Sequence, residues 1–325
     1  PDGRGIAFVS DRGGSESLWY QRMSEGKPEG SPKLLVENLR FRNRRGRPLG
    51  FASNGAYYYV RIADPRLVGD IYSVELNSDG QNVSGIPHRV IQLHQNTNTL
   101  PSWSPNGRQL AYTSHRPAGS KLIIRDVDSA DEHELELTNA SGERIQFRWW
   151  IAPSDYSPAW SPDSQSIVLT GRCEGKQGLH IVDVQSGRVS PLASKEESVP
   201  SFVWSKDGRA IYYLRTVFGE SQPEGTQVVK RNLSTLRETI LHELPEDANS
   251  KNRFIHGLAI SPSGQELAMA TDHDIGVISI NGGGPRLVHK LANDERVSRK
   301  AGIVWSSVGN RVIFGKAKDG DYESG

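Results

Sequence analysis

One phrase returns along this sequence at nearly constant spacing. It joins a tight turn to a short β-branched or aromatic run, as in "PDGRGIAFVSDR" at 1–12 and "WSPNGRQLAYTSHR" at 103–116. A repeat of this length constrains the fold strongly, because each copy must be a unit that buries its apolar face against its neighbours. The turn position is about 51 residues from one copy to the next on average, and in the seven copies it is held by Gly3, Gly55, Gly107, Ser164, Gly208, Gly264 and Gly309.

Each copy predicts two antiparallel strands around a turn. Pro presets the first turn position, Asp, Asn and Gly tolerate the next ones, and the alternating run that follows is typical of a strand. Most intervals then contain a third and a fourth strand, at 122–138, 178–193, 228–244 and 275–291. Four short antiparallel strands per repeat predict an all-β propeller of four-stranded blades. Aromatic side chains just before the turns are predicted to wedge between neighbouring sheets, at Trp103, Trp160, Trp204 and Trp305.

Composition excludes several classes of function. Thirty-nine basic residues against 38 acidic ones give a net charge of +1, which offers no general reason to bind nucleic acid or a membrane surface. Cys173 is the single cysteine, so no intrachain disulfide can form. No run approaches the ~18 consecutive apolar residues of a membrane helix. We therefore expect neither nucleic-acid binding nor membrane insertion.

Known catalytic motifs are missing from the sequence. It has no G-x-S-x-G nucleophile elbow, no H-E-x-x-H zinc motif and no phosphate-binding glycine loop. The stretch "DVDSAD" at 126–131 lacks the glycine of a calcium loop. The sequence therefore predicts no catalytic residue, no metal site and no cofactor.

The repeated phrase resembles the WD40-like PD40 repeat of TolB-type β-propellers, and the resemblance extends over essentially the whole chain. It implies a TolB-like β-propeller that binds a protein or peptide partner, in the periplasm or another extracytoplasmic space. We expect one propeller domain over 1–325, interpreted as a fragment of a longer chain. Seven copies favour seven blades with an incomplete terminal blade, and a closed ring of six blades is the alternative.

Basic residues recur where the second strands end. If equivalent strand ends emerge on one face, these residues form a basic ring around one mouth of the channel, suited to carboxylates or phosphates. A structural role, in which each arginine pairs with an acid of its own or the next blade, is the alternative. The candidate residues are Arg12, Arg61, His115, Arg116, Arg172, Arg215 and His273, with Lys316 in the last copy.

Three further features are candidates for binding. The connector "RFRNRRGR" at 40–47 is interpreted as a solvated link or as a contact for an anionic partner. Trp149 and Trp150 are adjacent in an insertion before the fourth copy, and exposed aromatics there would suit a peptide or glycan. His256 lies on a predicted inner strand and faces the channel on one interpretation.

The preferred function is a non-catalytic binding module or scaffold that presents one face to a protein or peptide partner, with an anionic partner among those considered. The enzymatic alternative has two forms: the gating propeller of a prolyl-oligopeptidase-like hydrolase, or a polysaccharide lyase acting at the channel near His256. A third alternative is a purely structural spacer in a larger protein.

Overall fold

The repeated turn has one backbone conformation wherever the structure describes it. Gly107, Gly208 and Gly264 have φ of 72°, 69° and 73°, and Ser164, at the same turn position, has a similar φ of 61°. A computed structural model of the chain describes residues 5–15, 17–25, 27–37, 48–51, 57–64, 68–74, 86, 88–91, 97–116, 119–149, 158–192, 199, 201–218, 223–245, 255, 257–297, 303–306 and 311–318. Every regular element within these ranges is a β-strand.

The first three sheets follow the chain order, and each is a meander of neighbouring strands. The first sheet contains β1 (Gly5–Ser10), β2 (Ser17–Ser24) and β3 (Lys27–Val36). The second contains β4 (Pro48–Phe51), β5 (Tyr57–Asp64), β6 (Val68–Val74) and β7 (His88–Arg89). The third contains β8 (Asn98–Trp103), β9 (Gln109–Arg116), β10 (Gly119–Asp126) and β11 (Glu132–Glu134).

The next three sheets continue this pattern. The fourth contains β12 (Phe147–Trp149), β13 (Ala159–Trp160), β14 (Ser166–Cys173), β15 (Lys176–Asp183) and β16 (Val189–Pro191), with β12 and β13 both pairing with β14. The fifth contains β17 (Phe202–Trp204), β18 (Ala210–Phe218), β19 (Pro223–Asn232) and β20 (Glu238–Pro245). The sixth contains β21 (Gly257–Ile260), β22 (Glu266–Ala270), β23 (Asp274–Ser279) and β24 (Arg286–Lys290).

The last copy forms two small sheets instead of one blade. These pair β25 (Glu295–Val297) with β28 (Lys316–Lys318), and β26 (Ile303–Trp305) with β27 (Val312–Phe314). In the described part of the chain, five sheets have the four or more strands of a complete blade. The predicted count of seven blades is wrong, and so is the alternative of six. The phrase itself encodes only two strands of a blade, so counting phrases overestimates the number of complete sheets.

The prediction of third and fourth strands is confirmed. In the third, fifth and sixth sheets, the strands after the turn pair in antiparallel order. The chain divides into two compact units, Pro1–Leu169 with Val182–Val189 and Thr170–Ile181 with Ser190–Gly325. The expectation of a single propeller domain stays a prediction.

In the first unit, the core lies between successive sheets. Leu18 of β2 packs with Tyr57 and Tyr59 of β5, and Ile71 of β6 packs with Leu110 of β9. These five side chains are almost fully buried, which is the main favourable term in folding. Strands that alternate apolar and polar residues thus bury one face against the next sheet.

The second unit is built in the same way. Leu214 of β18 packs with Leu258 of β21 and Leu267 of β22. On the other face of the sixth sheet, Ala268 of β22 packs with Ile303 of β26. The sixth sheet therefore has apolar neighbours on both faces, as stacked blades require.

The wedge role predicted for the tryptophans is seen at three of the four positions. Trp160 is buried, and its Nε1 donates a hydrogen bond of 2.9 Å to the main-chain carbonyl of Ser102 in β8, 58 residues earlier. Trp103 and Trp305 are half-buried and pack against the cores of their own units. These rings fasten one sheet to another within a unit.

The serine of the repeated phrase forms hydrogen bonds that close the turn after it. Ser205 Oγ donates to Asp207 Oδ1 at 2.7 Å and accepts from the main-chain N–H of Ala210 at 2.8 Å. Asp207 Oδ1 in turn accepts from the N–H of Arg209 at 3.0 Å. The turns at Ser104 and Ser161 are closed in the same way. The Ser–x–Asx spacing thus satisfies backbone donors that the tight turn leaves without partners.

Candidate binding site

Arg12 is an exposed candidate arginine of the first unit, two residues after the end of β1. It follows β1, in which Phe8 lies directly opposite Trp19 of β2, so both rings are on one face of the sheet. The guanidinium carbon of Arg12 is 4.8 Å from the centroid of the Phe8 ring and 5.4 Å from that of Trp19. The exposed cation therefore lies over two aromatic rings.

Two hydrogen bonds hold this arrangement in place. Trp19 Nε1 donates to the main-chain carbonyl of Ser10 at 3.1 Å, and Arg12 Nε donates to Ser10 Oγ at 3.3 Å. A cation over an aromatic ring at an exposed site is stabilised by about 0.5–1 kcal/mol. Arg12 is exposed, and no described acidic side chain forms an ion pair with it. A guanidinium held in this way is oriented to bind a carboxylate or phosphate, and it loses little side-chain conformational entropy when it does so.

His115 and Arg116 end β9, and the structure places both in structural contacts. His115 Nε2 is 2.7 Å from Thr99 Oγ1, and its Nδ1 is 2.8 Å from Ser120 Oγ. Burial lowers the pKa of His115, which favours the neutral ring. Arg116 Nη1 is 3.0 Å from Glu134 Oε2, and Lys121 Nζ is 2.6 Å from Oε1 of the same carboxylate. His115 therefore links β9 to its neighbours β8 and β10, and Arg116 reaches across β10 to β11.

Arg215 lies within a polar cluster on the fifth sheet. Its Nη1 donates to Glu238 Oε2 at 3.0 Å, and its Nε and Nη2 donate to Gln227 Oε1 at 3.0 and 2.9 Å. Glu238 also accepts from Tyr213 at 3.0 Å and from Arg231 at 2.6 Å. Burial raises the pKa of Glu238, but these three hydrogen bonds outweigh it and hold that pKa below its ordinary value. The charge of Arg215 is thus neutralised inside its own blade.

Arg172 and His273, in the second unit, have different surroundings. Arg172 is exposed on β14, and no described acidic residue forms an ion pair with it. His273 Nδ1 donates to the main-chain carbonyl of Glu295 at 2.8 Å, and Lys316 Nζ pairs with the Glu295 carboxylate at 2.5 Å. His273 therefore fastens the sixth sheet to β25.

The candidate residues do not share one strand position. Arg116 is nine residues after Gly107, Arg172 is eight after Ser164, and Arg215 is seven after Gly208. Side chains an odd and an even number of residues from the turn lie on opposite faces of a strand. The prediction that all copies contribute equivalently to one basic ring stays untested as a whole, but these three arginines are not equivalent.

Several sequence candidates lie outside the described residues. These are Trp150, His256 and the connector at 40–47; of Arg61 and Trp149 the structure describes only the main chain, in β5 and β12. Their proposed contacts stay predictions.

A repeated tyrosine–arginine–glutamate cluster was missed from the sequence. The set Tyr213, Arg231 and Glu238 on the fifth sheet has a counterpart on the third, where Arg125 Nη1 is 2.8 Å from Glu132 Oε1 and both are largely buried. Burial, together with the Glu132 carboxylate, raises the pKa of Tyr112, the third member. The signal was present: "RDVDSADE" at 125–132 and "RNLSTLRE" at 231–238 share an arginine, an Asx and a glutamate at the same spacing.

The described residues show no metal-binding arrangement. Within them, no three His, Cys, Asp or Glu side chains are grouped to hold a metal ion. Nor does the described part of the chain contain a helix long and apolar enough to span a membrane.

Comparison with known proteins identifies the family. The model of the TolB beta propeller domain, PD40, matches residues 57–223, just over half of the chain. The chain belongs to the TolB beta-propeller family. The resemblance predicted from the repeated phrase is thereby confirmed, and the PD40 repeat accounts for the Ser–Asx turns and the alternating strands that follow them.

A curated relative and two solved structures extend this result. The Tol-Pal system protein TolB of Francisella tularensis subsp. mediasiatica is 27% identical over 113 residues, which are 34% of this chain and 22% of that protein. The chain thus matches about a fifth of that relative's length. An oligogalacturonate lyase of Vibrio parahaemolyticus superposes with a TM-score of 0.63 at 12% identity, covering 96% of this chain and 83% of that one. A puromycin hydrolase mutant gives 0.60 at 13%, covering 96% and 49%. At these identities the two structures show the fold alone.

Proposed function

We propose that this chain is a non-catalytic recognition module that binds an anionic protein or peptide through Arg12. The observation that carries the proposal is the exposed guanidinium held over Phe8 and Trp19 with no described acidic partner. The TolB relative is named as a component of the Tol-Pal system, which supports a partner protein and a periplasmic location for this chain. Fractionation of cells that produce the protein measures whether it reaches the periplasm.

The contrast with the other arginines supports Arg12 as the contact. Arg116 and Arg215 each donate to a glutamate of their own sheet, so binding a ligand there would break an existing ion pair. An exposed arginine without such a pair keeps its charge available for a carboxylate. Arg172 is the second exposed candidate, in the other unit.

The test compares binding of a fluorescent glutamate-rich peptide with binding of its glutamine analogue, at low and high salt. Wild type should bind the acidic peptide more tightly, and salt should weaken the difference. Arg12→Gln should weaken binding about tenfold, because a hydrogen bond to a charged group is lost. Arg12→Lys should recover only part of it, since lysine lacks the planar fork. Arg237→Gln removes an exposed arginine elsewhere and should leave binding unchanged.

Two outcomes would overturn the proposal. The first is equal affinity of wild type and Arg12→Gln for the acidic peptide, which would show that Arg12 does not contact it. If Arg172→Gln then weakened binding, the contact would involve the second unit instead. Unsaturated sugar products from uronate oligosaccharides would show catalysis and contradict a non-catalytic module.

A further inference from the structure

The outer strand of the sixth sheet is an exposed edge. β24 is the last strand in the order β21-β22-β23-β24, and all five of its residues are exposed. Leu287 is 59% exposed and Val288 is 46% exposed. Within the described residues, the main chain of Arg286–Lys290 is hydrogen-bonded to β23 alone, so its other side offers N–H and C=O groups to solvent.

Edges of this kind are usually protected by charge, and the third sheet shows how. Its outer strand β11 consists of Glu132, His133 and Glu134, of which His133 and Glu134 are exposed, and Glu134 is paired with Arg116. β24 has two adjacent apolar side chains where β11 has charged ones. A register shift beside Gly276 adds Val288 as an extra residue of the strand, and within the described residues no further strand pairs with this edge.

Charge decides what kind of strand fits this edge. Arg286 and Lys290 stand at the two ends of the apolar pair. If a second copy paired antiparallel about Val288, Arg286 would lie opposite Lys290 of that copy, and like charges directly opposite are destabilising. An acidic residue opposite each end is favourable instead. Glu266, 3.5 Å from Arg286, already shows that this cation accepts an acidic neighbour on its inner side.

We propose that β24 is a docking strand that binds an extended segment of a partner protein by strand addition. The segment has acidic residues at both ends and apolar residues between them, so that the acids lie opposite Arg286 and Lys290. Main-chain hydrogen bonds supply the affinity, and Leu287 and Val288 supply the apolar contact. β24 belongs to the second unit and Arg12 to the first, and this proposal does not depend on Arg12.

The test uses a labelled peptide, Ser-Glu-Val-Thr-Val-Glu-Ser, and measures fluorescence anisotropy. A second peptide with the same side chains carries N-methyl groups on alternate amides, which removes main-chain donors but no charge. A third has lysine in place of both glutamates. We expect the first peptide to bind, the N-methylated one to bind about tenfold more weakly or not at all, and the lysine peptide to be rejected. Amide hydrogen exchange should slow along β24 when the first peptide is bound.

Protein variants assign the surface. Reversal of charge in Lys290→Glu should weaken binding of the glutamate peptide and allow the lysine peptide to bind. Lys206 is another exposed lysine of the second unit, and Lys206→Glu should change the binding of neither peptide. Equal binding of the N-methylated and unmodified peptides would contradict strand addition. Absence of binding, or tight self-association of the chain lost in Lys290→Glu, would also overturn the proposal. Arg12→Gln should leave this peptide unaffected, so failure here and failure of the Arg12 contact are distinguishable.

Discussion

Ser164 occupies the turn position that Gly107 holds one copy earlier, and both have a left-handed backbone, with φ of 61° and 72°. A side chain in this conformation costs roughly 1–2 kcal/mol. Ser164 offsets part of this cost, because its Oγ accepts a hydrogen bond of 3.2 Å from the main-chain N–H of Asn106. A serine in place of glycine thus ties two turns of the first unit together.

Ser164→Thr should destabilise the protein by roughly 1–2 kcal/mol, because threonine keeps the hydroxyl but its β-branch is unfavourable at positive φ. The midpoint of urea unfolding measures this. Ser166→Thr is the matched control, since a β-branched residue suits the strand position it occupies and should change stability little. Equal losses in the two variants would show that left-handed strain is not the cause.

Ser205→Ala should cost about 1–3 kcal/mol, because the buried N–H of Ala210 then has no acceptor. The Ser205 hydrogen bond is also the largest cause that lowers the pKa of Asp207, so that pKa should rise in the variant. Chemical denaturation and an NMR titration of Asp207 measure the two effects. Ser234→Ala removes an exposed turn hydroxyl and serves as the control. An unchanged Asp207 titration would contradict the assigned hydrogen bond.

Arg231→Met should destabilise the fifth sheet by about 2 kcal/mol. The side chain of Arg231 is only 8% exposed, and removing one partner of a largely buried ion pair leaves the other uncompensated. The loss is smaller than for a fully isolated pair, because Glu238 retains Arg215. In a double-mutant cycle with Glu238→Gln, the two losses should not add. Strict additivity would mean that the two side chains act independently.

Acid should destabilise the chain in two separate ranges. Burial lowers the pKa of His180, so the unfolded chain takes up its proton first and stability falls as the pH drops below about 6.5. The pKa values of Asp163 and Asp183 are lowered by hydrogen bonds, so their contribution is present above about pH 4 and is lost below it. Burial lowers the pKa of His115 and His242 too, so unfolding curves between pH 7.5 and 5 should show a decline that becomes shallower in His180→Leu. If stability fell with pH as steeply in that variant as in wild type, His180 would not contribute to the decline.

The sequence predicted the local elements well because their causes are local. The turn is set by a serine and an Asx residue within five positions, and the strand after it by alternation, as at Ser205 and Ala210. The family resemblance followed from the same phrase. The number of complete blades did not, because it depends on where distant segments pair: β28 joins β25, 21 residues earlier at the Lys316–Glu295 contact, instead of extending the sheet of β26 and β27.

The candidate site was only partly predictable for a similar reason. A basic residue at a strand end is visible in the sequence, but its partner is not. Glu238 is 23 residues after Arg215 and two strands away, and nothing in the spacing shows that their side chains meet. Arg12 depends on Phe8 and Trp19 lying opposite each other, which the pairing register alone decides.

The self-contained closure of the Ser–Asx turns has an evolutionary consequence. Because the serine and Asx side chains of each turn satisfy most of its backbone donors, a tandem duplication of one repeat would carry most of the interactions that its hairpin needs. The contact of Trp160 with Ser102 is different, since it joins one repeat to the preceding one. Duplicated copies must therefore keep the serine and Asx residues that close each turn, and they must also keep a matching neighbour at the tryptophan. Selection on such arrays acts on pairs of adjacent repeats.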